Sequence, residues 1–429
     1  MLHKVLHPVA KPLALVYHIY MAFTTENRKS ISLIAVLLSI SLLQMSGMNI
    51  SPALQTLHTV FPKQSSESIQ TLVTLPSLFM VFASFLAVPC AKYFSKKRTI
   101  LFGSLCFSIS GLIPMVFSSF AALRLSRMMI GASLGLFIPI NTTLLFAFFT
   151  DPDQRNTIIG WQSCASATGN VIATTLAGVL VQINYKLTFL VHLIGLLTFF
   201  LNLFLLPQDE TGRREEKKEG EAPLLRKLSG VINRRSVSWL LVSFTYMSYL
   251  NCFSTKISLL VESQNIGTSS VSALGISLLT VGSFAGGLCY GQISKILKGL
   301  TLPVGLFVSS AGILSLGLAH SVFPVYLSGI LAGLGLSMEA PVVVVGLLGE
   351  ANPDDRILLT AMSSAMSNLG LSMSPYISAF TTSLIIGRDK TLRDEYIVCA
   401  CVLMIMCIGA FVRFLIMRKR KNKGIVDSV

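Results

Sequence analysis

The sequence predicts an all-α integral membrane protein, with twelve transmembrane helices arranged as two six-helix pseudo-repeats. Three observations carry that expectation. Hydrophobic residues fill 52% of 429 positions and Asp, Glu, Lys and Arg only 12%, about half the charged share of a soluble domain. The charges gather between apolar runs of about 20 residues, the length that crosses a bilayer core. A polar hexamer also recurs, TDPDQR at 150–155 and ANPDDR at 351–356, and repeats decide architecture before any local reading.

Taken in order, the first span, 31–50, follows Lys29, and the second, 70–91, ends at the basic segment 92–98. The third, 99–118, leads into the fourth, 121–149, which closes at the first hexamer. The fifth, 157–181, and the sixth, 187–206, are separated by a short polar turn at Lys186. The seventh and eighth, 237–258 and 271–293, flank Glu262, and the ninth, 299–319, ends at His320. The tenth, 322–349, closes at the second hexamer, and the eleventh and twelfth run over 357–385 and 396–417. Helices are expected because lipid cannot satisfy an open backbone, and barrel strands would alternate apolar and polar residues. The long fourth, tenth and eleventh runs are expected to tilt or protrude.

Net charge is +15, but its distribution excludes a nucleic-acid partner. Most of the 34 Lys and Arg lie in 1–30, 92–98, 150–156, 207–236, 294–298, 350–356 and 418–429. The opposite loops hold only Lys63, Lys186, Arg388, Lys390 and Arg393. This positive-inside bias predicts a multi-pass cell-membrane protein with both termini cytoplasmic. The expected organisation is a cytoplasmic segment 1–30, a bundle 31–206, a linker 207–236, a second bundle 237–417 and a basic tail 418–429. Residues 1–20 read either as an interfacial helix or as lying before a start at Met21, and they lack a signal-peptide cleavage pattern. The linker, PQDETGRREEKKEGEAPLLRKLSGVINRRS, is too charged to bury a core.

The 8 cysteines fall in or beside spans without metal spacing, and the Cys399–Cys401 pair suits helix packing. No P-loop, nucleophile–His–acid set or metal constellation appears. An enzyme is therefore not expected, nor a cofactor or a metal, and a monomer is the expected state.

The repeat extends beyond the hexamers. Asp151-Pro152-Asp153 aligns with Asn352-Pro353-Asp354, Arg155 with Arg356 and Gly169 with Gly370, all at one offset. Lys92 pairs with Lys295, and Gly131 and Gly135 pair with Gly329 and Gly333. Small residues four apart let helices approach closely in lipid. Each hexamer is thus the turn between the fourth and fifth spans of its half, and Asp151 and Asn352 are expected helix caps. Parallel repeats with a site between them describe one transporter architecture.

Over residues 30–417 the chain resembles the major facilitator superfamily, most closely its bacterial drug- and metabolite-efflux members. Arg127-Met128-Met129-Ile130-Gly131 matches the family's fourth-helix R-x-x-q-G pattern. Gly160, Gly169 and Gly178 keep the spacing of the fifth-helix antiporter motif, although Ala173-Thr174 replaces Gly-Pro and Ala177 replaces a Gly. Gly370 through Ser374-Pro375 carries a related form. The segment Val88 to Arg98 occupies the G-x-L-a-D-R-x-G-R-R position, with Lys92 for the Asp and Tyr93 for the Arg. The resemblance implies a cytoplasmic gate loop here, at Lys92, Lys96, Lys97 and Arg98. Without the Asp, a different interaction must close that gate. The first helix also lacks the Asp common in drug–proton antiporters.

Arg127 lies inside an apolar span, where charge is costly, so a cavity-facing role in gating or coupling is expected, with interfacial snorkelling more natural for Arg124. Glu339 is the one carboxylate deep within a predicted span. Its apolar neighbourhood suits a group that binds and releases a proton, or one simply hydrogen-bonded to a neighbouring helix. The resemblance implies that the first, fourth, seventh and tenth helices line the substrate cavity. Gln44, Asn49, Asn141, Thr142, Tyr246, Tyr249, Asn251 and Phe253 are the candidates, each also explicable as packing. Lys256, nearer a helix end, is expected to snorkel.

The expected function is secondary transport by alternating access, with proton-coupled efflux of small amphipathic compounds as the leading reading. Its partners are the lipid bilayer, a small-molecule substrate and protons. The alternatives are uptake or facilitated diffusion of a polar metabolite, and a non-transporting membrane sensor or scaffold.

Overall fold

The computed structural model describes residues 27–44, 50, 53–207, 231–349, 351–387 and 389–422. Among them there is no strand, only α- and 3-10 helices. Nine segments are long and apolar enough to cross a membrane, and one of them, Ser270–Gly317, holds two helices. Together with Asn27–Leu42 and the broken helix pair Arg234–Leu250 and Cys252–Ser263, they make twelve spans. The fold class expected from the sequence is the one observed.

Local chemistry sets the boundaries. The second span, Ser66–Phe94, starts at Ser65, whose side chain accepts from the Ser68 N–H at 3.2 Å. The fourth, Phe120–Phe148, starts at Ser119, which accepts from Ala122 N–H at 3.1 Å. The fifth, Pro152–Ile183, starts at Asp151, which accepts from Gln154 N–H at 2.7 Å, with proline following at the first helical position. These are side-chain caps on otherwise orphaned amides. The seventh span opens on a reciprocal capping box between Asn233 and Ser236.

Two boundaries differ from expectation. The basic segment 92–98 is not a loop, because the third span, Lys96–Val116, begins one residue after the second ends. Lys and Arg are good helix formers, so the helices absorb them and Ser95 alone breaks the chain at φ 69°. Asn352 makes no cap hydrogen bond, since the second hexamer enters the eleventh span through the 3-10 turn Pro353–Asp355. The eleventh span itself is Arg356–Ile386.

The repeat is visible at the closest helix approaches. A Cβ on Gly131 or Gly135 of the fourth span would strike the carbonyls of Pro76 and Met80 in the second. A Cβ on Gly329 or Gly333 of the tenth, Val322–Leu348, would strike those of Gly275 and Leu279 in the eighth, Ser269–Leu297. Gly169 of the fifth span abuts the Leu42 carbonyl of the first, and Gly370 of the eleventh abuts the Phe244 carbonyl of the seventh. Equivalent glycines thus serve equivalent helix pairs, the close packing that small residues permit in lipid. Large apolar side chains such as Phe82, Phe204, Phe380 and Leu384 point outward and are exposed, as a lipid-facing surface requires.

Candidate functional site

The first six spans and the last six meet along two seams, the second span on the eleventh and the fifth on the eighth. The described ends of the first and twelfth spans lie on the same side as both hexamers, here termed the turn side. Among the described residues, the polar contacts across the seams given below lie in its half of the bundle. The deepest is Cys164 Sγ to the Phe284 carbonyl at 3.2 Å, roughly 18 Å along the helix from Pro152. Closer to the turns, Gly160 and Gly287 touch backbone to backbone, and Gly291 lies against Thr157. Lys295 pairs with Asp153 at 3.1 Å. Leu144, Phe146, Phe149 and Ile158 share one buried cluster with Leu347, Leu348, Leu358 and Leu359 of the other half.

Phe146 is the centre of this seal. Arg155 holds its guanidinium carbon 4.6 Å from the phenyl centroid, and Arg356 holds its own at 5.9 Å. Arg356 also donates to the Phe146 carbonyl at 3.4 Å and to the Ala351 carbonyl at 3.3 Å. One turn deeper, the Thr360 hydroxyl reaches the Pro139 carbonyl at 3.1 Å and lies 3.4 Å from the Thr143 hydroxyl. The sequence marked both arginines through the hexamers but gave no sign of Phe146, one phenylalanine among many in an apolar span.

In the segment matching the family's gate loop, Lys97 donates to the carbonyls of Leu203 at 2.9 Å and Leu206 at 2.5 Å. It therefore caps the end of the sixth span, Tyr185–Leu205, as cations do at helix C-termini. Lys92 and Arg98 are exposed at the same side and Lys96 is half-buried.

The residues selected as cavity candidates are placed as follows. Gln44 is exposed, and its amide oxygen accepts from the Ser166 hydroxyl at 3.1 Å. Asn141 is buried and donates to the Leu37 carbonyl at 3.2 Å and the Ser41 hydroxyl at 3.3 Å. Thr142, half-buried, bonds its own helix at Ile138. Tyr246 lies wholly inside the second half, 2.8 Å from the Ser309 hydroxyl, and Phe253 is buried in the same cluster. Tyr249 meets the Thr381 hydroxyl at 2.9 Å, and Asn251 donates to the Leu371 carbonyl at 3.1 Å. Asn49 lies outside the described residues. Of the packing residues, Gly178 is half-buried, and the Pro375 carbonyl accepts from Lys256 at 3.4 Å.

Three ionisable residues inside the spans, Arg127, Glu339 and Lys256, are largely enclosed. Arg127 is only 1% exposed, sits 5.9 Å over the Phe189 ring, and leaves Nε and Nη1 without partners. It is packed within the first half beside His192, rather than open to a cavity. Glu339 is 1% exposed with neither oxygen hydrogen-bonded. It sits near Tyr246 of the seventh span and the ninth span's Gly305. Lys256 does not snorkel but pairs with buried Glu395, which Lys390 approaches at 3.6 Å. Among the described residues no group of three or more His, Cys, Asp or Glu could hold a metal.

The comparisons agree with this architecture. The sequence profile of the Major Facilitator Superfamily matches residues 34–302, more than half of the chain. The quinolone resistance protein NorA of Staphylococcus aureus is 25% identical over 135 residues, 31% of this chain and 34% of the relative. The match therefore spans about a third of that relative's length. Among solved structures, the human organic anion transporter MFSD10 (TETRAN) superposes with a TM-score of 0.69 at 15% identity, covering 90% of this chain and 100% of the other. FucP in the outward conformation gives 0.68 at 14%, over 88% and 98% of the two chains. The proton:xylose symporter XylE gives 0.66 at 14%, over 89% and 95%. At these identities the structures establish the fold alone. With the paired glycine approaches and the profile match together, the chain belongs to the Major Facilitator Superfamily.

Proposed function

We propose that this protein is a secondary transporter carrying a neutral polar solute, by uptake or facilitated passage, as its two six-helix halves rock about a central site. The observation that carries the reading is the enclosure of charge. Arg127 and Glu339 are each buried within one half, and Lys256 is paired with Glu395. Among the candidate cavity residues, those left exposed or half-buried carry amide and hydroxyl groups, as at Gln44, Thr142 and Asn251. A passage built this way supplies hydrogen bonds without a fixed charge, which suits an uncharged solute. The turn-side seal is one of the two closures that alternating access needs. By the distribution of Lys and Arg, that side is cytoplasmic, so the solute loads from outside in this conformation. The test is counterflow of labelled neutral polyols, sugars and amides in proteoliposomes, beside carboxylates and amines. Saturable counterflow of a neutral solute is expected; counterflow confined to charged solutes would refute the reading.

A second reading, proton-driven export, is favoured by one observation. Both oxygens of Glu339 are unpartnered in a buried site, where a carboxyl that loads and releases a proton could reside. Glu339→Gln keeps shape and most hydrogen bonding but cannot exchange that proton. On this reading the variant abolishes accumulation driven by an imposed pH difference and spares counterflow. Undiminished pH-driven accumulation by Glu339→Gln would remove Glu339 as the coupling group.

A further inference from the structure

A groove of about 480 Å³ runs between the seventh and twelfth spans, lined by Arg234, Val237, Ser238, Leu241, Thr245 and Met406. It opens to the lipid-facing surface at the turn side. We propose that it is a selective site for one anionic phospholipid, with the phosphate between Arg234 and Arg413 and an acyl chain lying along the groove.

Length is the first argument. From Arg234 to Thr245 the helix rises roughly 16 Å, close to the roughly 15 Å hydrocarbon depth of one leaflet. The groove therefore starts where headgroups lie and ends near the bilayer midplane. Its composition changes in the same direction, from Arg234 at the mouth to Leu241, Val242 and Met406 within.

Charge is the second. Arg234 is exposed at the mouth. Arg413 of the twelfth span reaches the same helix one turn further along, its guanidinium donating to the Ser238 hydroxyl at 3.2 Å and lying 5.3 Å over the Trp239 ring. Arg235 is close enough to Arg413 for the two to repel. Arg234, Arg235 and Arg413 thus gather positive charge around one turn of the seventh span, and an anion among them would relieve it. Arg presents a fork that matches phosphate oxygens and remains charged at the interface. The Ser238 bond and the Trp239 ring preorganise Arg413 in that position. Basic pockets between transmembrane helices are a recognised chemistry for acidic headgroups. A zwitterionic lipid would fill the same groove but brings its own cation to the arginines, and a second copy of this chain would have to supply an acid there.

The chain contains 2 tryptophans, so Trp161→Phe leaves Trp239 as an optical reporter beside the site. The full-length protein is reconstituted in bilayers containing phosphatidylglycerol or phosphatidylcholine with dibrominated chains, and quenching is compared at equal mole fraction. Dibrominated phosphatidylglycerol should be preferred by about fivefold per engaged arginine. Arg234→Gln with Arg413→Gln should bring the two lipids to parity while the reporter stays in a folded, monodisperse protein. Equal quenching by both lipids before any arginine is changed refutes the site, and that comparison needs no arginine variant to fold. A preference that survives the double substitution places the lipid elsewhere and also overturns the proposal. So does rapid disulfide cross-linking of Val237→Cys between copies in lipid excess, because the groove would then be an interface.

Discussion

Arg155 and Arg356 stand at equivalent places in the two repeats, and both lay their guanidinium groups over the ring of Phe146. The ring belongs to the fourth span, Arg155 to the fifth and Arg356 to the eleventh. One arginine is therefore a contact within a half and the other a contact between halves. In a family whose gate loop ordinarily carries an acid, this chain has Lys92 at that place and closes the turn side with an aromatic ring shared by two cations.

Replacing the ring tests the seal. Phe146→Leu keeps apolar volume and removes the π face, so the sealed state should lose about 0.5–2 kcal/mol through the Arg356 contact, the one made between halves. One contact alone should shift the population of sealed to opened molecules about 2- to 30-fold. Spin labels at Arg98→Cys and Lys298→Cys, on opposite halves at the turn side, should show a growing long-distance component. An unchanged distance distribution would assign the closure to the surrounding leucines instead.

The two hexamers should respond unequally to alanine. Asp151 caps the fifth span and Asn352 makes no cap bond. Asp151→Ala is expected to cost about 0.5–2 kcal/mol and to lower the thermal midpoint of the purified protein. Asn352→Ala should leave it nearly unchanged. Equal losses would show that the sequence repeat extends to capping after all.

Gly169 and Gly370 should respond alike. Each abuts a carbonyl of the neighbouring helix, at Leu42 and Phe244 respectively. A methyl group at either forces the helix pair apart, at about 1–3 kcal/mol for an overpacked contact. Gly169→Ala and Gly370→Ala should both reduce the monodisperse fraction in size-exclusion chromatography. Gly409→Ala, with nothing within 4 Å of the added carbon, is the control and should behave as the parent does.

The charge distribution predicts the orientation. In a cysteine-free background, Lys298→Cys at the turn side should be shielded from an impermeant thiol reagent in intact cells. Thr391→Cys, on the opposite side, should react. The reverse pattern would invert the assignment and place the turn-side seal outside the cell.

Much of the fold was legible because its causes are local. Desolvation of the backbone makes each apolar run a helix, and glycines at four-residue spacing mark where helices touch. The repeat was readable for the same reason, since Gly169 and Gly370 each answer to one neighbouring carbonyl. Asp151 announced itself as a cap, because the cap bond spans only four consecutive residues, Asp151 to Gln154.

The site was less legible. A charged residue in an apolar span signals that something must accommodate it, but not on which side of its helix. Arg127 was expected at a cavity and is instead packed against Phe189 within the first half. Lys256 was expected to snorkel and instead found Glu395, far along the chain.

By itself, the sequence determined the number of spans, the internal repeat and the family, because hydropathy, glycine spacing and turn chemistry act over a few residues. Tertiary structure decided which side is sealed, that Glu339 lies between the seventh and ninth spans, and that two repeated arginines share Phe146. Those outcomes depend on the rotation of each helix about its own axis. In lipid no hydrophobic gradient fixes that rotation, so it is set by close packing between segments that are distant in sequence.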